Sequence, residues 1–261
     1  MDLLIDIGNS RIKWALRSAG SLHDAGSTEH CGGNAAVNVM LDAITTAPTG
    51  VIATNVAGDQ FGALLAGMVK ERWGLPVQFA VTQLQAGPVR NGYDDFQQLG
   101  IDRWLAIIAA VDRFAGSICI VDAGTAITID AVATNGAHLG GYIIPGLALM
   151  HQSLGAETGD LYRLVGNKQQ ISATASEHAV LGRSTVAAIA GGTVTAVCCL
   201  IEQCVETLRA GGNDPIIVVT GGDARRLMDC LDAGMQHRPQ LVLEGLALYE
   251  FDTSSGRRVE G

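Results

Sequence analysis

Two kinds of hydrophobic pattern alternate along this chain: short unbroken apolar runs, and stretches in which apolar residues recur three and four positions apart. Leu3, Leu4 and Ile5 form one unbroken run, and Ile118, Cys119, Ile120 and Val121 another. Each is long enough only for a buried strand. Both then break in the same way: an Asp (Asp6, Asp122), a Gly (Gly8, Gly124) beside a hydroxyl or amide residue (Asn9 and Ser10; Thr125), and a second apolar or β-branched stretch. The predicted element is a strand, a tight turn and a strand.

Between and after these hairpins the period changes. Residues 21–34 are rich in Gly, Ser, His and Asp and read as a third short strand and a loop, whereas 37–44 carry helical spacing. Residues 51–55 predict a buried strand, 61–73 a helix closed by Gly74, and 77–81 a strand after Pro76. A polar stretch, 85–99, delivers the chain to an apolar helix through Trp104, Leu105, Ile108 and Val111.

In the second half, a strand over 137–144 is stopped by Pro145 and Gly146, and 147–154 have helical spacing. Residues 155–172 show no regular period and are suited to a mobile cover. Helices are expected over about 176–190 and 193–208, divided by Gly191 and Gly192. A buried strand at 216–219 runs into Thr220, Gly221, Gly222, Asp223 and Ala224; a last helix follows 241–245, and 253–261 are a polar tail. Strand–helix alternation after hairpin-linked strands predicts an α/β fold with mixed sheets. The repeated hairpin predicts two similar domains, 1–116 and 117–252, facing one cleft.

Composition supports this size of core. The chain has 261 residues, 48% hydrophobic and 16% charged, enough for two medium domains. A formal net charge of -9 argues against a nucleic-acid partner, since the Arg225-Arg226 and Arg257-Arg258 pairs are the only basic runs. No apolar run is seen to approach a membrane span, and Asp2 and Asp6 stand where a signal peptide needs basic residues, so the expected location is cytoplasmic. The six cysteines show neither C-x-x-C nor zinc spacing; Cys198 and Cys204 share an apolar helical face with Val194, Val197, Ile201, Val205 and Leu208 and read as core.

Candidate chemistry then concentrates in a few places. In each hairpin the Gly lets backbone approach a ligand, and the adjoining hydroxyl and amides suit phosphate; D-x-G is also an ordinary hairpin turn. Asp122, at a strand end, is a usual position for a cation ligand. Gly100, Ile101, Asp102 and Arg103 open the apolar helix. There Asp102 is either a carboxylate complementing the helix dipole or a base beside an anionic substrate. Gly140, Gly141 and Gly146 read equally as packing glycines or ligand contacts, and the Gly221-Gly222 turn can admit an adenine or ribose.

Taken together, D-I-G-N-S at 6–10, G-I-D-R at 100–103, D-A-G-T-A at 122–126, G-G-Y-I-I-P-G at 140–146, T-V-A-A-I-A-G-G at 185–192 and T-G-G-D-A at 220–224 resemble the type III pantothenate kinases. That family is related to actin, hexokinase and the ATPase domains of heat-shock chaperones. The resemblance implies two ribonuclease-H-like domains, with ATP and Mg²⁺ in the cleft between them, K⁺ or NH₄⁺ as a monovalent cation, and a homodimer. By motif position it implies that Asp6, Ile7, Gly8, Asn9, Ser10, Arg11, Ile12 and Lys13 cradle ATP with Thr125, and that Asp6 lies near Mg²⁺. It implies Asp122 at K⁺, Asp102 as the base toward the primary hydroxyl of pantothenate, and Tyr93, Gly100, Ile101, Asp102, Arg103 and Thr185 around the substrate. Ser10 replaces a frequent Thr, and Ser184 a commoner Asn. The alternatives are a kinase of the same superfamily with another small hydroxyl or acid acceptor, and a catalytically quiet regulatory accessory protein.

Overall fold

The alternation of Leu3, Ile5 and Ile7 with Asp2, Leu4 and Asp6 sets the first sheet. In a computed structural model, which describes residues 1–30, 33–157, 181–212, 214–229, 231 and 234–251, these residues form β1 (Asp2–Ile7). It pairs antiparallel with β2 (Arg11–Ser18), and β2 with β3 (Ser21–Glu29). On its other side β1 runs parallel to β4 (Gly50–Asn55), and β4 to β5 (Val77–Phe79), giving the order β3-β2-β1-β4-β5. Helices α1 (Asn34–Ala43) and α2 (Asp59–Trp73) bury Val37, Met40, Phe61, Leu65 and Val69 against Leu3, Ile5, Ile7, Ile12 and Trp14. Period-two alternation turns Asp6 to the opposite face.

A short hairpin the sequence pattern did not announce, β6 (Gln85–Ala86) and β7 (Val89–Arg90), precedes a 3₁₀ turn at Phe96–Gln98 and α3 (Ile101–Arg113). The second sheet then repeats the first. β8 (Ile118–Ala123) pairs antiparallel with β9 (Ala126–Val132), β9 with β10 (His138–Pro145), and β8 runs parallel to β11 (Ile216–Thr220), itself parallel to β12 (Gln236–His237). The order is β10-β9-β8-β11-β12. Helices α4 (Leu147–Glu157), α5 (Thr185–Arg209) and α6 (Ala224–Met228) close one face over Cys119, Val121, Ala123, Ile127 and Ile129; α7 (Leu241–Leu248) ends the described elements.

Contacts divide the chain into two units. Unit 1 holds 1–87, 95–109 and 242–261, and unit 2 holds 88–94 and 110–241. Unlike a single cut at 116/117, this grouping returns most of the last helix to unit 1 and gives Tyr93 to unit 2. The mixed α/β architecture with two similar mixed sheets is the one expected from the repeated hairpin.

Two expectations are corrected. Residues 193–208 do not start a separate helix, because α5 continues through Gly191 and Gly192. Two mid-helix glycines cost about 1 kcal/mol each. The continuous stripe Ala190, Val194, Val197, Cys198, Ile201, Cys204, Val205 and Leu208, buried along the helix, outweighs that cost. The same 25 residues are long and apolar enough to cross a membrane by length and composition, contrary to the expectation that no stretch is. In unit 2 that stripe, from Val194 on, belongs to the sheet's core. The expected start of a helix near 176, most of the 155–172 segment and the 253–261 tail lie outside the described residues.

Candidate active site

In unit 1 the first hairpin turns tightly: the Gly8 N–H donates to the Arg11 carbonyl at 2.9 Å, leaving Asn9 and Ser10 exposed at the tip. His30, which the motif reading passed over, holds this tip from just past the end of β3. Its Nε2 lies 2.7 Å from the Gly8 carbonyl, its N–H donates to the Ser10 carbonyl at 3.0 Å, and its ring stacks on Phe61 at 4.7 Å. Asp6, buried at 6% exposure, sits opposite Lys13 in the β1–β2 register and beside Thr54 in the parallel β1–β4 register. Thr54 is buried with no hydrogen-bond partner for its hydroxyl. Ile7 and Ile12 are core residues, so only their backbone is available to a ligand. Arg11 is exposed and pairs with Glu29 at 2.8 Å.

The first turn of α3 carries the second group in unit 1. Asp102 Oδ1 accepts the Arg103 N–H at 2.8 Å, and the Arg103 side chain is buried at 5% exposure while Asp102 is partly exposed. Gly100 clears space for that carboxylate: a Cβ there would stand 2.7 Å from Asp102 Oδ1. Ile101, partly buried, begins the helix.

Unit 2 builds its hairpin from closely stacked backbone. The Gly124 N–H donates to the Ala126 carbonyl at 3.1 Å, and the Gly146 N–H donates to the Thr125 carbonyl at 2.9 Å. A Cβ on Gly146 would press within 2.5 Å of the Thr125 oxygen. From the other side Gly221, at φ +94, lies against the Ala123 backbone, and the Asp223 N–H donates to the Ala123 carbonyl at 3.0 Å. Three separated glycine motifs therefore converge on one turn, with exposed Thr125 and partly exposed Asp122 on it. Asp122 is paired in register with Thr220, whose buried hydroxyl has no partner. Nothing in the spacing alone reveals that Thr220 and Thr54 occupy the same place in the two repeats.

Tyr93 and Thr185 also belong to unit 2. The Tyr93 ring stacks on His138, and Thr185 opens α5 after Ser184, whose hydroxyl caps the helix by accepting the Ala187 N–H at 3.2 Å. Thr185 lines a groove of about 420 Å³ with Met150, Leu154, Ala188, Ile189 and Gly192. Nearby, His151 Nε2 is 2.9 Å from Thr193 Oγ1; burial first, then the positive charge of Arg226, pushes its pKa down, against a smaller opposite pull from Asp223. Cys198 and Cys204 are buried as expected.

Among the described residues no three His, Cys, Asp or Glu side chains cluster as a metal site. Mg²⁺ takes one or two carboxylates and fills its octahedron with phosphate oxygens and water, and Asp6 supplies one buried carboxylate. Asp122, partly exposed near the end of β8, offers a carboxylate oxygen of the kind hard cations take.

A family model described as type III pantothenate kinase matches residues 2–207. A type III pantothenate kinase of Nitrosococcus oceani is 35% identical, over 99% of this chain and 97% of its own, and that of Alkalilimnicola ehrlichii is 36% identical, over 94% and 96%. Among solved structures, a putative Baf family transcriptional activator from Campylobacter jejuni superposes with TM-score 0.60 at 22% identity, covering 94% of each chain. A putative 2-dehydro-3-deoxygalactonokinase from Sinorhizobium meliloti gives 0.51 at 14%, over 95% of this chain and 97% of its own. These two likenesses speak to the fold, that of the actin-like ATPases and sugar kinases.

Proposed function

The chain belongs to the type III pantothenate kinase family, which phosphorylates pantothenate in the first step of coenzyme A biosynthesis, and from that premise we propose how its residues divide the work. The family match over 2–207 carries the reading, because it spans every candidate residue from Asp6 to Thr185.

The tip amides of Asn9 and Ser10, beside Gly8, whose missing side chain lets the turn approach a ligand, hold the phosphates of ATP from one hairpin together with Arg11 and Lys13, and Thr125 holds them from the other. Asp6 is the carboxylate toward Mg²⁺ and Asp122 the one toward K⁺ or NH₄⁺; bound with ATP, these cations offset charge on the transferring phosphoryl group. Phosphoryl transfer rests on such positioning and charge neutralisation more than on a nucleophilic side chain. Asp102 accepts the proton of the primary hydroxyl of pantothenate. Arg103 supplies a guanidinium matched to the substrate's carboxylate, and Tyr93, Gly100 and Ile101 are its further substrate contacts. Thr185 completes the pocket from a second subunit, so that the working form is a homodimer acting in the cytoplasm.

Purified protein given ATP and Mg²⁺ is expected to form 4'-phosphopantothenate in K⁺ buffer and much less in Na⁺ buffer, and to leave a panel of hexoses unphosphorylated. Equal rates in Na⁺ would remove Asp122 from its cation role. A preferred hexose would move the acceptor assignment to the sugar kinases.

A further inference from the structure

Residues 88–94 are a polar segment tied to the β9–β10 region of unit 2. The Arg90 N–H donates to the Gly136 carbonyl at 3.1 Å, and the backbone of Gly92 lies so close to the His138 carbonyl that any Cβ would collide with it. Asn91, buried at 6% exposure, accepts the Tyr93 N–H on its Oδ1 at 3.0 Å. Thus anchored, the Tyr93 ring lies 5.8 Å from the His138 imidazole, with the two planes 18° apart. The imidazole is itself fixed from behind: its Nε2 is 2.8 Å from Asp130 Oδ1, with side-chain exposures of 0% and 2%. A bulge between His138 and Gly140 interrupts the β9–β10 ladder at this residue, a device that re-aims a side chain.

Stability alone does not explain this pair. Buried pairs of this kind are often matched or bettered by apolar residues of similar volume, and here the imidazole Nδ1 is left buried without a partner. What the pair supplies is orientation, because the bond from Nε2 to a carboxylate fixes the tautomer and the plane of the ring. We propose that Asp130 and His138 are positioning residues for the acceptor substrate: the carboxylate locks the imidazole, and the imidazole forms the platform that holds Tyr93 in its pantothenate-binding orientation. This rests on the reading of Tyr93 as a substrate contact.

The test separates the two statements. His138→Gln keeps a donor for Asp130 and removes the ring; it is expected to raise the pantothenate KM roughly 2- to 10-fold, the range of an aromatic pair converted to affinity, with kcat and the ATP KM nearly unchanged. In a Tyr93→Ala background the same change should add nothing to KM, since residues acting through one another are non-additive. A normal pantothenate KM in His138→Gln, beside a raised one in Tyr93→Ala, would overturn the platform and leave Tyr93 in place. A normal KM in Tyr93→Ala would overturn the substrate contact, and the platform with it. Should the single variant fold poorly, Asp130→Asn with His138→Gln removes both the buried charge and the ring and carries the same expectation.

Discussion

At the scale of single residues, Asp102 shows how one side chain satisfies two accounts. Its Oδ1 accepts the N–H of Arg103 in the first turn of α3, which is what a carboxylate complementing a helix dipole does, for about 0.3 to 1 kcal/mol. Asp102→Asn keeps the size and the acceptor oxygen, so the dipole account expects activity to survive. The base account expects kcat to fall roughly 10²- to 10⁴-fold with the melting temperature nearly unchanged, nearer the low end if the hydroxyl loses its proton late in a loose transition state. Steady-state kinetics and a melting curve on the one variant decide between them, and near-normal kcat would pass the role to another group. Asp102 was legible as a candidate because its motif is local. His30, Thr54, His138 and Asp130 were not, because what makes each matter is a partner distant in sequence: Gly8 for His30, Asp6 for Thr54, Tyr93 for His138.

Elements were legible where period and punctuation agreed. β1, β4, β8 and β11 are each built on an unbroken apolar run, and α2 ends at Gly74, which closes it in the left-handed region. The reading failed where local propensity and tertiary packing disagreed: Gly191-Gly192 reads as a break, yet α5 passes through it because its buried stripe is continuous. β6 and β7, two residues each, are too short to give a period. The packing of α4 on α5 also predicts a pH dependence. His151, on α4, has its pKa lowered from 6.5 chiefly by burial, with Arg226 adding to the effect and Asp223 opposing it. As pH falls through 6.5 the unfolded chain takes up a proton that the folded chain refuses, so stability declines from there until the folded value is reached. Melting temperatures from pH 8 to pH 5 should fall less in His151→Gln, which keeps a donor for Thr193 without the titration. Parallel curves for the two proteins would contradict this.

For the whole molecule, the repeat first visible as D-x-G after an apolar run is a repeat of topology. The sheet orders β3-β2-β1-β4-β5 and β10-β9-β8-β11-β12 are the same sequence of antiparallel and parallel pairings, with Asp6 beside Thr54 in one and Asp122 beside Thr220 in the other. A duplicated hairpin explains why the same candidate turn could be read in both halves. It does not explain Thr185, exposed at the start of α5 and lining an apolar groove with Leu154, at 42% exposure, and Ala196. Large exposed apolar side chains beside such a groove mark an interaction surface, and a stable interface needs roughly 1,200 to 2,000 Å² of total buried area. A second copy seated there would bring Thr185 to the partner's substrate. Light scattering should then give twice the 27.1 kDa chain mass. Ala196→Arg, which puts a charge in the groove away from Thr185, should give monomers with a raised pantothenate KM. A wild-type monomer at full specific activity would end the argument for a shared pocket, and Ala196→Arg monomers with a normal KM would confine Thr185 to its own subunit.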